Sequence, residues 1–155
     1  MSQLKPGDQA PDFTLTDQQG QTVTLADFQG KKILLFFYPK ALTSGCTKQA
    51  CSVRDAREEL ADLGVIALGI SPDPVDLQKK FAGKHTLGFP LLSDRDHAVA
   101  SAYGVWGEKS MYGKKYEGII RSAFLLDEDG RIIQAWYKIS PEQTVPRMKQ
   151  ALAGG

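Results

Sequence analysis

The chain has 155 residues, 42% of them hydrophobic and 24% charged, which is ordinary globular usage and excludes collagen-like, low-complexity and wholly disordered classes. Its 19 basic and 18 acidic side chains leave a net charge of +1, which argues against a protein built on a polyanion footprint. Two cysteines, Cys46 and Cys51, are too few for a disulfide-rich secreted scaffold. The length suits a single domain over residues 1–155. The first eleven residues are polar, and the longest apolar run, Ile33 to Tyr38, falls far short of the ~20 residues of a spanning helix. A cytoplasmic protein with no membrane partner is expected, and in that reducing setting two cysteines point to free or catalytic thiols.

In chain order, Phe13 to Leu15 and Thr22 to Leu25 alternate around the polar turn Asp17 to Gly20, which predicts a small N-terminal β-hairpin. Ile33 to Tyr38 reads as a buried central strand. Val53, Ala56, Leu60 and Leu63 recur at helical spacing and predict a helix over roughly residues 45–62. Val65 to Ile70 is a second buried strand, Pro74 to Lys84 a helix with proline in its first turn, and Phe89 to Leu92 a third, shorter strand. Ala98 to Tyr103 is a short helix. Gly104 to Gly118, rich in glycine, lysine and aromatics, reads as a long connection. Ile119 to Leu126 and Arg131 to Tyr137 flank Asp127 to Gly130 as a hairpin. Val145, Met148 and Leu152 define a last helix, with Ser140 as N-cap and Pro141 at the first position. Strands alternating with helices and closed by an antiparallel hairpin predict an α/β fold, a mixed sheet flanked by helices.

Both cysteines fall on the helix after the first central strand. Cys46 lies in its first turn, where unpaired backbone N–H groups and the helix dipole stabilise an anion and favour a reactive thiolate. Seven residues before Val53, it shares the inward face, whereas Cys51 shares the polar face of Asp55, Glu58 and Asp62. In a regular helix their Cα atoms stand about 8–9 Å apart, beyond the roughly 7 Å a disulfide permits. A bond between them therefore requires the helix start to unwind. Buried structural cysteines are the competing reading. The spacing is not that of the thioredoxin redox motif, and a zinc site lacks ligands beyond His85 and His97, which read as loop or surface residues. Trp106, Tyr112 and Tyr116 interleave with Lys109, Lys114 and Lys115, but the near-zero net charge favours a structural or partner-facing loop over nucleic-acid binding.

The stretch from Phe36 to Thr47 resembles the peroxiredoxin active-site pattern P-x-x-x-T-x-x-C, with Pro39, Thr43 and Cys46 at its fixed positions. Pro6 to Phe13, Gly104 to Lys109 and Gly118 to Ser122 also resemble that family, in particular its bacterioferritin-comigratory (PrxQ) branch, as does a second cysteine five residues after the first. The resemblance implies a thioredoxin-like fold and a thiol peroxidase acting on hydrogen peroxide and organic hydroperoxides without cofactor or metal. It implies Cys46 as peroxidatic nucleophile, Cys51 as resolving thiol and Arg121 as the active-site arginine. Thr43 and the backbone of Gly45 and Cys46 are then candidates to bind the peroxide, and Pro39 to shield the thiolate. A thioredoxin or glutaredoxin-type dithiol is the implied reductant, and a monomer the implied state. Ser44 and Ala123 depart from the branch, which often has proline and threonine there. From the residues alone, Thr43 is equally a helix cap, Arg121 an ordinary ion-pair arginine and Pro39 a strand end. A disulfide oxidoreductase that never meets peroxide and a redox-sensing module are the rival functions.

Overall fold

The computed structural model describes residues 3–154. A seven-stranded mixed sheet has β1 (Thr14–Thr16), β2 (Thr22–Thr24), β3 (Lys32–Phe37), β4 (Val65–Ser71), β5 (Leu91–Ser93), β8 (Ser122–Leu126) and β9 (Ile132–Trp136) in the order β2-β1-β5-β4-β3-β8-β9. β3 pairs parallel to β4 and antiparallel to β8, and β4 pairs parallel to β5. Helices α1 (Ser44–Asp55), α2 (Arg57–Asp62), α3 (Val75–His85), α4 (Ala98–Ala102) and α5 (Thr144–Gly154) flank it. Among the described residues, no helix is long and apolar enough to cross a membrane.

The strand β3 shows why the sheet has two dry faces. Leu34, Phe36 and the following Tyr38 point to one side, among Ala50, Val53, Phe81 and Met148. Ile33, Leu35 and Phe37 point to the other, among Leu68, Tyr103 and Phe124. All six are at most 2% exposed. Each such side chain contributes about 1.5–3 kcal/mol of burial, and a slip of one residue would exchange the two sets, so the register of β3 is strongly fixed. Gly69 on β4 lets Phe36 and Tyr38 close over the strand. A Cβ there would sit 2.9 Å from Phe36 Cζ and 3.1 Å from Tyr38 Cε1.

Several expectations need correction. The helix over 45–62 is two helices, because the chain leaves helical geometry at Ala56, whose ψ is 4°. Residues 104–118 are not an irregular connection: β6 (Trp106–Met111) and β7 (Lys114–Ile119) form a separate antiparallel ribbon. Its two-residue turn, Tyr112-Gly113, has positive φ at both positions (53° and 79°), as a tight hairpin requires. Ile119 therefore ends β7 and does not open β8. The third strand lies at Leu91–Ser93, two residues later than its apolar signal begins. Leu25, expected to end the N-terminal hairpin, starts a 3-10 turn, Leu25–Phe28. A 3-10 turn, Pro141–Gln143, precedes α5, and Ser140 stands at its N-cap without a side-chain capping bond. His97 lies in the loop before α4, as expected, while His85 ends α3. His97 stacks on Trp106 with ring centroids 3.7 Å apart and fastens the base of the ribbon.

Candidate active site

Chain direction places the site. β3 is buried from Ile33 onward, and Tyr38 extends it through its N–H to Ile70 O at 3.0 Å. Pro39 follows, half-buried, where the chain leaves the sheet. The loop then turns through Leu42, whose φ of 67° lies in the left-handed region, and enters α1 with Thr43 at the N-cap. The first intrahelical bond is Thr47 N–H to Thr43 O at 2.8 Å. The amides of Ser44, Gly45 and Cys46 thus belong to the helix end, whose N–H groups have no partner within the helix.

Cys46 is 1% exposed, and both cysteines are free thiols. Its inward placement matches the helical wheel. The wheel misplaces Cys51, which is half-buried and packs against the same apolar cluster as Cys46. Asp55 stays with Cys51 on α1, whereas the break at Ala56 puts Glu58 and Asp62 on a different helix. The two cysteines stand on one continuous helix.

Arg121 lies between β7 and β8, and its side chain reaches the first turns of α1. Nη1 donates to Gln49 Oε1 at 2.8 Å. Nη2 would stand 3.1 Å from a Cβ added at Gly45, so glycine lets the guanidinium lie close over that turn and a larger residue would push it back. Gln49, fully buried, donates in turn to Thr144 Oγ1 at 3.0 Å at the start of α5. Gln49 carries no local signal in the sequence, because its role depends on partners 72 and 95 positions away. Lys109 on β6 is a second cation missed by sequence reasoning. Its Nζ donates to Ile119 O at 2.8 Å. Burial lowers its pKa first and the Arg121 charge lowers it further, while Cys46 opposes both, so all three groups share one electrostatic neighbourhood. Only the pairing of the ribbon strands brings Lys109 there.

The Thr43 side chain does not cap the helix. Its exposed hydroxyl donates to Lys40 O at 2.7 Å, which closes the loop and leaves the oxygen free to accept. The structure thus gathers Cys46, the Gly45 backbone, Arg121 and Lys109 around one helix start, with Thr43 and Pro39 on the loop leading into it. Such an arrangement suits an anion formed on a buried sulfur and a small polar molecule held beside it.

Residues 6–135 match the AhpC/TSA family. Peroxiredoxin Bcp of Escherichia coli is 55% identical over 132 residues, which cover 85% of each chain. Among solved structures, peroxidoxin BcpB from Mycobacterium tuberculosis aligns with a TM-score of 0.86 at 35% identity, over 97% of both chains. A Xanthomonas campestris bacterioferritin comigratory protein, described for its alkyl peroxide reduction activity, aligns with the same score at 35% identity, over 92% of this chain and 90% of that one.

Proposed function

Because the chain belongs to the AhpC/TSA family, whose thioredoxin-like fold and thiol peroxidase chemistry it shares, we propose that Cys46 is its peroxidatic nucleophile and Cys51 its resolving thiol. The observation that carries the assignment is the Arg121 guanidinium held over Gly45 in the first turn of the helix bearing Cys46. A thiol is a poor nucleophile toward peroxide and a thiolate a good one. The open amides of the first turn and the permanent charge of Arg121 stabilise negative charge on the sulfur, and the thiol proton passes to solvent.

The reaction follows from these placements. The Cys46 thiolate attacks one peroxide oxygen, the O–O bond breaks, and the distal oxygen leaves as hydroxide or alkoxide and takes up a proton. Arg121 and the first-turn N–H groups stabilise the charge as it develops on that oxygen. Thr43 Oγ1, whose own hydrogen is given to Lys40 O, accepts the substrate O–H and orients it. Pro39, without an N–H, keeps the wall beside the sulfur free of a competing donor. Cys46 is left as a sulfenic acid. The Cys51 thiol condenses with it, a disulfide forms and water leaves. A dithiol such as thioredoxin then reduces the bond by exchange.

The test is sustained peroxide consumption with a thioredoxin system. Wild-type protein turns over, Cys46→Ser does not, and Cys51→Ser reduces a single equivalent and stops. Full activity in Cys46→Ser would refute the assignment. A disulfide oxidoreductase would react with dithiols alone and leave peroxide untouched.

A further inference from the structure

Below the loop that leads to Cys46 lies a buried polar chain that the peroxide chemistry does not use. Asp73 Oδ2 accepts the Ala41 N–H at 2.6 Å and the Ser71 hydroxyl at 2.7 Å. Ser71 Oγ accepts from Gln78 Nε2 at 2.9 Å and from Asp73 N–H at 3.2 Å. Gln78 Nε2 also donates to Leu92 O at 3.0 Å, and its Oε1 accepts from the Tyr38 hydroxyl. Tyr38, Ser71 and Gln78 are fully buried, and Asp73 is 7% exposed. Tyr38 stays a neutral donor. Burial raises its pKa first, and the charges of Asp73 and Cys46 add to that.

We propose that Asp73 is a latch that sets how readily the start of α1 unwinds, and so sets the rate at which oxidised Cys46 reaches Cys51. This rests on the reading of Cys51 as resolving thiol. Asp73 stands in Ser71-Pro72-Asp73-Pro74, between β4 and α3, where the flanking prolines restrict the backbone and present the carboxylate with little freedom to lose. Its target, Ala41, immediately precedes Leu42, the left-handed residue that turns the chain into α1. A branched residue held at positive φ is strained and persists only while its surroundings impose it. With the Asp73 to Ala41 bond in place, Leu42 is pinned and the first turn stays wound around Cys46. When that bond opens, Leu42 relaxes and the segment carrying Cys46 is released. Asp73 touches no substrate atom and is a positioning residue.

The balance of states gives a distinctive signature. Peroxide attack follows the population of the closed loop, and disulfide formation follows the population of the open one. Removing the carboxylate leaves the buried Ala41 N–H without its acceptor, which favours the open form about tenfold. A loop that is closed almost all the time then remains mostly closed. In Asp73→Ala, oxidation of Cys46 by hydrogen peroxide should change less than about twofold, and condensation with Cys51 should accelerate about tenfold. The peroxide concentration that carries half of Cys46 on to the sulfinic acid should rise by the same factor, because that second oxidation competes with condensation.

Single-turnover stopped flow separates the two steps, with fluorescence of Trp136, which packs against the cluster around α1, as reporter. A purely structural role would lower stability and slow both steps. Unchanged or slower condensation in a folded Asp73→Ala protein overturns the latch, while disulfide formation in wild type preserves the resolving assignment. Absence of a Cys46–Cys51 bond in wild type overturns both. A measurement independent of any variant is hydrogen exchange at Ala41. Its amide should be protected in the reduced protein and lose protection in the disulfide form, and protection retained in both forms contradicts the proposal.

Discussion

Arg121 Nη1 donates to Gln49 Oε1 at 2.8 Å, which fastens a cation from the junction of β7 and β8 to the second turn of the helix carrying Cys46. The carboxamide is itself held by Thr144 at 3.0 Å, so the guanidinium is aimed by a buried relay and its position does not depend on its own rotamer alone. Arg121→Met should slow oxidation of Cys46 by about 10²–10³, the usual effect of losing a donor aimed at developing charge. Gln49→Leu keeps the charge and loses only its aim, so it should cost about five- to tenfold, near the worth of one such bond. Second-order rate constants with hydrogen peroxide decide the matter. Equal effects from both substitutions would mean that the charge of Arg121 counts for nothing without its aim, and no effect from Arg121→Met would mean that it does not act on the reaction.

Gly45 is under opposite demands. Alanine there would stabilise α1 by up to about 1 kcal/mol, but its Cβ would lie 3.1 Å from Arg121 Nη2. Gly45→Ala should therefore slow oxidation several-fold through displaced Arg121 and also slow disulfide formation, because a firmer first turn unwinds less often. Stopped-flow traces read both steps. Faster disulfide formation would show that the helix start does not need to unwind.

The turn of the β6–β7 ribbon offers a test of backbone geometry without touching the site. Tyr112 is 98% exposed and has φ of 53°. Tyr112→Asn gives the Asn-Gly pair this turn prefers and should stabilise the ribbon by about 0.5–1 kcal/mol. Slower hydrogen exchange across β6 and β7 with unchanged peroxide kinetics is the expected outcome.

That ribbon marks the limit of what the sequence makes legible. β3 and β4 announce themselves because both faces are buried and every residue between Lys32 and Phe37 and from Val65 to Ile70 is apolar. The side chains of β7 are mostly exposed, so no alternation toward a core exists to be read. The helix break at Ala56 involves neither glycine nor proline and leaves no local mark. Cys46 is legible from its place at a helix start, and Arg121 only from family resemblance, since nothing in its own neighbourhood requires an arginine. Gln49, Lys109 and Asp73 acquire their roles through partners in distant segments, which no local pattern encodes.

Asp94 tests the electrostatics of the scaffold. It is 1% exposed, and its carboxylate accepts the N–H groups of Val99 at 3.2 Å and Ala100 at 2.8 Å. Burial raises its pKa, and those two bonds only partly offset it. The folded state therefore holds this proton to higher pH than the unfolded chain does. Between the ordinary carboxylate value and the raised one, the contribution of Asp94 to stability falls as pH rises. Asp94→Asn removes that slope at the cost of one N–H acceptor. The stability of the variant relative to wild type should thus improve as pH rises from about 4 toward 7. Urea unfolding across that range checks it, and parallel curves would contradict it.

The most direct test of the central claim is titration of the reduced protein with hydrogen peroxide, followed by intact and peptide mass measurement. One equivalent of peroxide should convert the chain to a product lighter by two hydrogens, with Cys46 and Cys51 in one disulfide-linked peptide pair. A product that instead carries added oxygen on Cys46 while Cys51 stays reduced, or no reaction at Cys46 at all, would contradict it.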